Sequence, residues 1–343
     1  MLGGLVPASL PLAVGMIGVT TAIIWVGSGW LESSAEQLSA HYGLPPVVQG
    51  SIIVAVGSSF PELASVVFTA LAGVFGMGVG GIVGSAIFNI LVIPALAGLA
   101  ATGSLETNRE IVYKEAQFYM IAVSALVITF ALGVIYIPAP ETPPLFGEIT
   151  RPLAMLPLLL YGLYLFIQWQ DVSEYTGEIE RSDAVGRQWA TLAGGLLLIL
   201  VGVEQLVSAV EYLTHSFGIP EFLAGVTIIA AVTSLPDTLV SVRAAREGRG
   251  LTSLGNVLGS NTFDLLVAIP IGVLLIGTVS INFAVAVPMF GVLTLATVLL
   301  FTFLRTDLSL TTPESYALLV AYGLFVAWVI AETVGVTNLV AAT

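Results

Sequence analysis

Runs of about twenty apolar residues recur from one end of this 343-residue chain to the other, separated by short polar turns. A helix needs about that many residues to cross a hydrocarbon core of about 30 Å. Lipid offers no partner for backbone N–H and C=O groups, so such a chain folds either as spanning helices or as a closed barrel. Barrel strands alternate in polarity over about ten residues, and these runs do not alternate. The chain therefore reads as an all-α polytopic membrane protein whose constant partner is the lipid bilayer. Composition agrees: 57% of residues are hydrophobic and 9% are charged, against about a quarter charged in soluble domains. No length is left for a separate soluble domain.

Ten spans are expected: Leu10 to Gly27, Leu44 to Ala72, Val79 to Ala101, Ala116 to Ile137, Pro152 to Trp169, Trp189 to Leu213, Ile219 to Ala245, Leu251 to Thr278, Ile281 to Leu304 and Ser315 to Val334. The start, "MLGGLVPASL", lacks the basic residues of a signal peptide, so the first run reads as a retained helix. Between the fifth and sixth spans lies the most polar stretch, "QDVSEYTGEIERSDAVGRQ". It divides the chain into a first half (1–169), a linker (170–188) and a second half (189–343). Lys and Arg gather on the cytoplasmic side of membrane proteins. With both termini outside, eight of the nine basic residues fall inside and only Arg151 falls outside. The linker is then cytoplasmic.

The two halves resemble each other. Sliding the sequence by 175 residues lays 43–92 over 218–267 without a gap, with 16 identities in 50 positions. The polar and helix-breaking residues coincide: Ser59 with Ser234, Pro61 with Pro236, Glu62 with Asp237, Ser85 with Ser260, Phe88 with Phe263 and Asn89 with Asp264. Five helices per half reverse direction across the membrane, so the second half is inverted relative to the first. Inverted repeats with paired interrupted helices are a transporter architecture, with the substrate site near the midplane.

Glu62 and Asp237 fall near the middle of their spans, each directly after a proline. A charge at mid-bilayer costs at least about 2.5 to 3.5 kcal/mol on insertion scales, so each must face the protein interior and have a partner. No basic residue lies in the core of any span, and the counter-charge is then a bound cation or a proton. A proline inside a helix removes a backbone hydrogen bond. Carbonyls in "VAVGSS" and "IAAVTS", including those of Ala55 and Ala230, are expected as free acceptors beside the carboxylates. Ser58 and Ser59 precede Glu62 by four and three residues, as Thr233 and Ser234 precede Asp237. Helical backbone brings such neighbours to one face. Ser85 and Asn89, like Ser260 and Asp264, are four apart in the partner helices. Gly80 and Gly84, with Gly255 and Gly259, follow the small-xxx-small spacing of close helix packing. Carboxylates, an amide, hydroxyls and carbonyls, with no histidine at mid-depth and no cysteine in the chain, form a ligand set for hard cations such as calcium or sodium.

At these residues the sequence resembles the cation/calcium antiporter superfamily of sodium/calcium exchangers. "GSSFPEL" with "GSAIFN", and "TSLPDT" with "GSNTFD", are most similar to its potassium-dependent sodium/calcium exchanger branch. The resemblance implies that Glu62 and Asp237 are the central calcium ligands. It further implies that Ser58, Ser59, Thr233 and Ser234, with the carbonyls of Ala55 and Ala230, serve sodium and calcium. Ser85, Asn89, Ser260 and Asp264 would complete the metal site. An aspartate at the Asp264 position is tied to potassium use in that branch, but potassium-independent microbial members carry it too, so potassium co-transport stays open. The short linker implies no calcium regulation through a large cytoplasmic loop.

The function expected is antiport of sodium against calcium, with no cofactor and no enzymatic step. The first and sixth spans slide as gates. A calcium/proton antiporter of the same fold is the alternative. A formal charge of −13 with a single lysine, Lys114, suggests the plasma membrane of a salt-adapted prokaryote. No basic patch exceeds "RAAREGR", which excludes nucleic acid as a partner. A membrane hydrolase fits poorly, because His41 and His215 lie at span ends.

Overall fold

The computed structural model describes residues 7, 9–42, 55–139, 145–172 and 185–337. The start of the 43–92 motif, linker residues 173–184 and both extreme chain ends lie outside the described residues. The first half contributes α1 (Leu10–His41), α2 (Ala55–Ser58), α3 (Phe60–Ala72), α4 (Phe75–Ala100), α5 (Ala116–Tyr136) and α6 (Arg151–Val172). The second contributes α7 (Val185–Phe217), α8 (Glu221–Ala224), α9 (Ala230–Thr233), α10 (Leu235–Arg246), α11 (Gly250–Phe263), α12 (Ile269–Ile276), α13 (Phe283–Arg305) and α14 (Thr312–Thr333). Wider π-helical turns join some of these: Glu110–Glu115 leads into α5, Gly225–Ile229 links α8 to α9, and Asp264–Ala268 links α11 to α12. Among the described residues eight helices are long and apolar enough to cross a membrane, and the bent path from Glu221 to Arg246 makes a ninth. α2 and the short apolar α3 carry the described part of the span expected from Leu44 to Ala72.

Two spans run beyond their apolar stretches. α1 continues past Gly27 to His41 because Leu31, Ala35 and Leu38 keep an apolar contact row at helical spacing and are buried. α7 likewise starts at Val185 rather than Trp189 and ends at Phe217. The extension brings Glu32 into α1. The apolar stretch of α1 has a mean hydropathy of 1.9, below 2.2 for α4.

Burial separates core from periphery. In α4 and in α11–α12, 83% and 78% of the spanning window is buried, against 22% for α1, α6 and α14. α4, "FGMGVGGIVGSAIFNILVIPALAGLA", is apolar or small on every side, the pattern of a helix enclosed all round. Its glycines permit that enclosure. A Cβ on Gly84 would stand 2.3 Å from the Val226 carbonyl, and one on Gly225 would stand 2.0 Å from that of Met77. Backbone thus lies directly on backbone where the halves cross. α1 and α7 form an outer pair, packed through Gly27 and Gly195 and an apolar cluster that includes Ile24, Leu31, Ile199, Val203 and Val207.

Two short antiparallel ladders also tie the halves together. β1 (Leu105–Glu106) pairs with β4 (Ser309–Leu310), and β2 (Phe146–Thr150) pairs with β3 (Thr278–Asn282). In each ladder one strand comes from either half. Ile281, expected at the start of the ninth span, belongs to β3.

Candidate ion-binding site

Both carboxylate-bearing segments break at aligned residues, Ser59 and Ser234, two positions before the prolines expected to interrupt them. α2 stops at Ser58 and α3 restarts at Phe60; α9 stops at Thr233 and α10 restarts at Leu235, with a 45° bend across Ser234. The prolines do not kink continuous helices. Pro61 and Pro236 occupy the first turn of the new helix, where a missing N–H costs nothing. Glu62 and Asp237 follow in that same turn. The positive end of each helix therefore points at its carboxylate, an interaction of about 0.3–1 kcal/mol, more when partly buried. A helix end thus takes part of the role an arginine would otherwise fill.

The broken segments and their partner helices interlock across the two halves. The Asn89 amide, from α4, donates to Asp237 Oδ2 at 3.1 Å. Asp237 Oδ1 accepts from the Ser260 hydroxyl at 3.0 Å and lies 3.5 Å from the Asn256 amide nitrogen. Ser85 donates to Glu62 Oε1 at 3.2 Å and shares a hydrogen bond with Ser234. Ser58 meets Ser260 at 3.2 Å. Ser58, Ser59, Glu62, Ser85, Asn89, Thr233, Ser234, Asp237, Ser260 and Asp264 are all buried.

Two expectations change in detail. The Ala230 carbonyl is not released, because it accepts the Ser234 N–H at 3.1 Å. The helical donor that Pro236 removes is the one for Val232, four residues before it. The same count places the effect of Pro61 at Gly57 rather than Ala55. Thr233 also turns its hydroxyl to its own helix, bonding the Ile229 carbonyl at 3.1 Å.

Unsatisfied atoms reveal what the cluster lacks. Ser59 Oγ, Glu62 Oε2, Asn89 Oδ1 and both oxygens of Asp264 are buried and have no hydrogen-bond partner. All five can accept. A buried polar group without a partner costs about 1–3 kcal/mol, more when charged, so these oxygens favour a positively charged partner. Among the described residues no lysine, arginine or histidine is buried. Nor do three carboxylates stand together in a compact metal cluster; Glu62, Asp237 and Asp264 are spaced by hydroxyls and amides. The set offers mixed oxygen coordination of a hard cation.

Two amides here escape a search for coincident polar residues. Asn256 and Asn261 align with Gly81 and Ala86, so the repeat comparison passes over them. Asn261 accepts from Asn89 at 3.0 Å and donates to the Ala86 carbonyl at 3.2 Å and to the buried Tyr119 hydroxyl at 3.3 Å. Asn256 could have been found by spacing, since it stands one turn before Ser260 and two before Asp264.

The family model for the sodium/calcium exchanger protein matches residues 12–170 and 187–331. The chain belongs to the sodium/calcium exchanger protein family. It is accordingly a multi-pass membrane transporter and not an enzyme. An uncharacterized membrane protein of Methanocaldococcus jannaschii is 26% identical over 283 residues, covering 81% of this chain and 87% of that one. The sodium/calcium exchanger MaX1 of Methanosarcina acetivorans is 25% identical over 270 residues, covering 70% and 76%. Among solved structures, the sodium-calcium exchanger NCX_Mj superimposes with a TM-score of 0.63 at 22% identity, over 93% of this chain and 99% of that one. That likeness bears on the exchanger fold alone.

Proposed function

We propose that this exchanger moves sodium ions against calcium across the cell membrane by alternating access, through one overlapping site built from Glu62, Asp237, Asn89 and Asp264 with Ser58, Ser59, Thr233, Ser234, Ser85 and Ser260. The carbonyls of Ala55 and Ala230 are further oxygen ligands, Ala230 through its second lone pair. One observation carries the reading: buried acceptor oxygens surround carboxylates that have no buried basic partner among the described residues. Membership of the family and the name of the relative MaX1 support sodium and calcium as the ions.

Obligatory exchange follows from electrostatics. Three carboxylates in a low-dielectric interior repel one another and lose hydration, so the empty ionised site is strongly penalised. Calcium, or several sodium ions, removes that penalty and lets the loaded site change face. The outer pair α1 and α7 is the moving part, since it touches the core less than the central helices do. The halves are inverted repeats with both termini outside, and the face bearing Arg243, Arg246 and Arg249 is cytoplasmic.

Vesicles reconstituted with the protein and loaded with sodium test the reading. Calcium uptake should follow the outward sodium gradient and persist when a protonophore collapses any pH difference. Uptake that follows only a pH gradient would assign the proton as driving ion instead. Uptake that rises when potassium is added would join potassium to calcium.

A further inference from the structure

Glu32 lies outside the ligand set above, yet it is a carboxylate on the moving pair within electrostatic reach of Asp237. It stands in α1, and its Oε1 is buried without a hydrogen-bond partner. One turn earlier on the same face, Ser28 is fully buried and its Oγ is also unpartnered. The charged groups that act on Glu32 are Asp237 and, one turn on, Glu36. Both are acidic, so no cationic side chain among the described residues accounts for this oxygen. α1 also touches α9 and α10, which flank the Asp237 break.

The inverted relation sharpens the point. An offset of 175 residues carries position 32 onto Val207 of α7, and α7 packs along α3, the helix of Glu62. Val207 there joins an apolar cluster that includes Ala64. Beside Asp237, α1 therefore carries a carboxylate at the position where α7, beside Glu62, carries aliphatic Val207; the buried carboxylate of α7, Glu204, stands three residues earlier. α1 and α10 run toward the basic face, and Glu32 and Asp237 each stand nine residues before the end of their helix, about 14 Å of rise.

We propose that Glu32, with the Ser28 hydroxyl, is an auxiliary hard-cation site on α1 that receives calcium or sodium entering from the basic face and passes it to Asp237. The inference rests on the exchange reading above. A negative charge within electrostatic reach of the main site raises the local cation concentration and is weakened by salt. Because Glu32 rides on the moving pair, the aid is present only in the conformation that opens toward the basic face.

Calcium flux measured from each face of sided vesicles tests this. In Glu32→Gln the calcium concentration for half-maximal flux should rise about fivefold or more from the basic face and stay within about twofold from the other. Added choline chloride should shrink the difference. Glu32→Asp keeps the charge and should stay close to wild type at both faces. Equal shifts at both faces, no shift in Glu32→Gln, or equal loss in Gln and Asp variants would overturn the assignment. Wild-type vesicles that carry no calcium at all would instead sink the exchange reading beneath it.

Discussion

The two half-sites share a scaffold and differ in how well their carboxylates are satisfied. Asp237, in the second repeat, accepts from Asn89 and Ser260, with Asn256 at the limit of reach. Glu62, in the first, accepts from Ser85 through one oxygen and leaves the other bare. Asp264 leaves both bare. A carboxylate held by several donors is fixed in direction by the protein itself. One with open oxygens is waiting for something positively charged. Symmetry has thus built one anchored ligand and two open ones from a duplicated frame.

Removing charge at each position separates these roles. Glu62→Gln should have the largest effect on transport, lowering calcium flux in vesicles by about a hundredfold or more, since it removes the charge facing the ion. Its thermal midpoint should change little, because few donors depend on that side chain. Asp237→Asn should also abolish flux, but it turns an amide toward the donors Ser260, Asn256 and Asn89. A loss of about 1–3 kcal/mol in stability follows, read as a lower melting midpoint in detergent. Equal melting behaviour for the two variants would break the comparison.

Asp264→Asn gives the second repeat the residue that the first has at Asn89. Calcium affinity, measured by equilibrium binding, should fall about tenfold, and any potassium requirement should relax. An unchanged affinity would remove Asp264 from the site. The smallest effect is expected from Asn261→Ala, which gives the residue found at Ala86. It severs the link from Asn89 to Tyr119 and should weaken calcium binding by about threefold to tenfold, the equivalent of one net hydrogen bond.

Most of this arrangement was legible because the halves repeat. That both carboxylate segments are interrupted, and that Ser85, Asn89, Ser234 and Asp237 belong to one cluster, follows from one gapless alignment; the exact break residues and the cross-half contacts come from packing. What symmetry does not repeat stayed hidden. Asn256, Asn261 and Glu32 align with Gly81, Ala86 and Val207, so nothing in the other half points to them. The true length of α1 was obscured because its apolar run ends before its contact row does. β1 to β4 are two to five residues each, too short to leave a periodic signal. The Ala230 carbonyl was misread through counting: a proline frees the acceptor four residues before it, which here is Val232.

One overlapping site for both ions is the central claim. It is tested most directly by calcium binding at equilibrium to the purified protein, with sodium as competitor and choline holding ionic strength constant. Sodium should lower calcium affinity with a dependence steeper than first order, as several sodium ions displace one calcium. In Glu62→Gln, calcium binding should be lost. Calcium affinity that is indifferent to sodium, or that survives Glu62→Gln unchanged, would contradict the account.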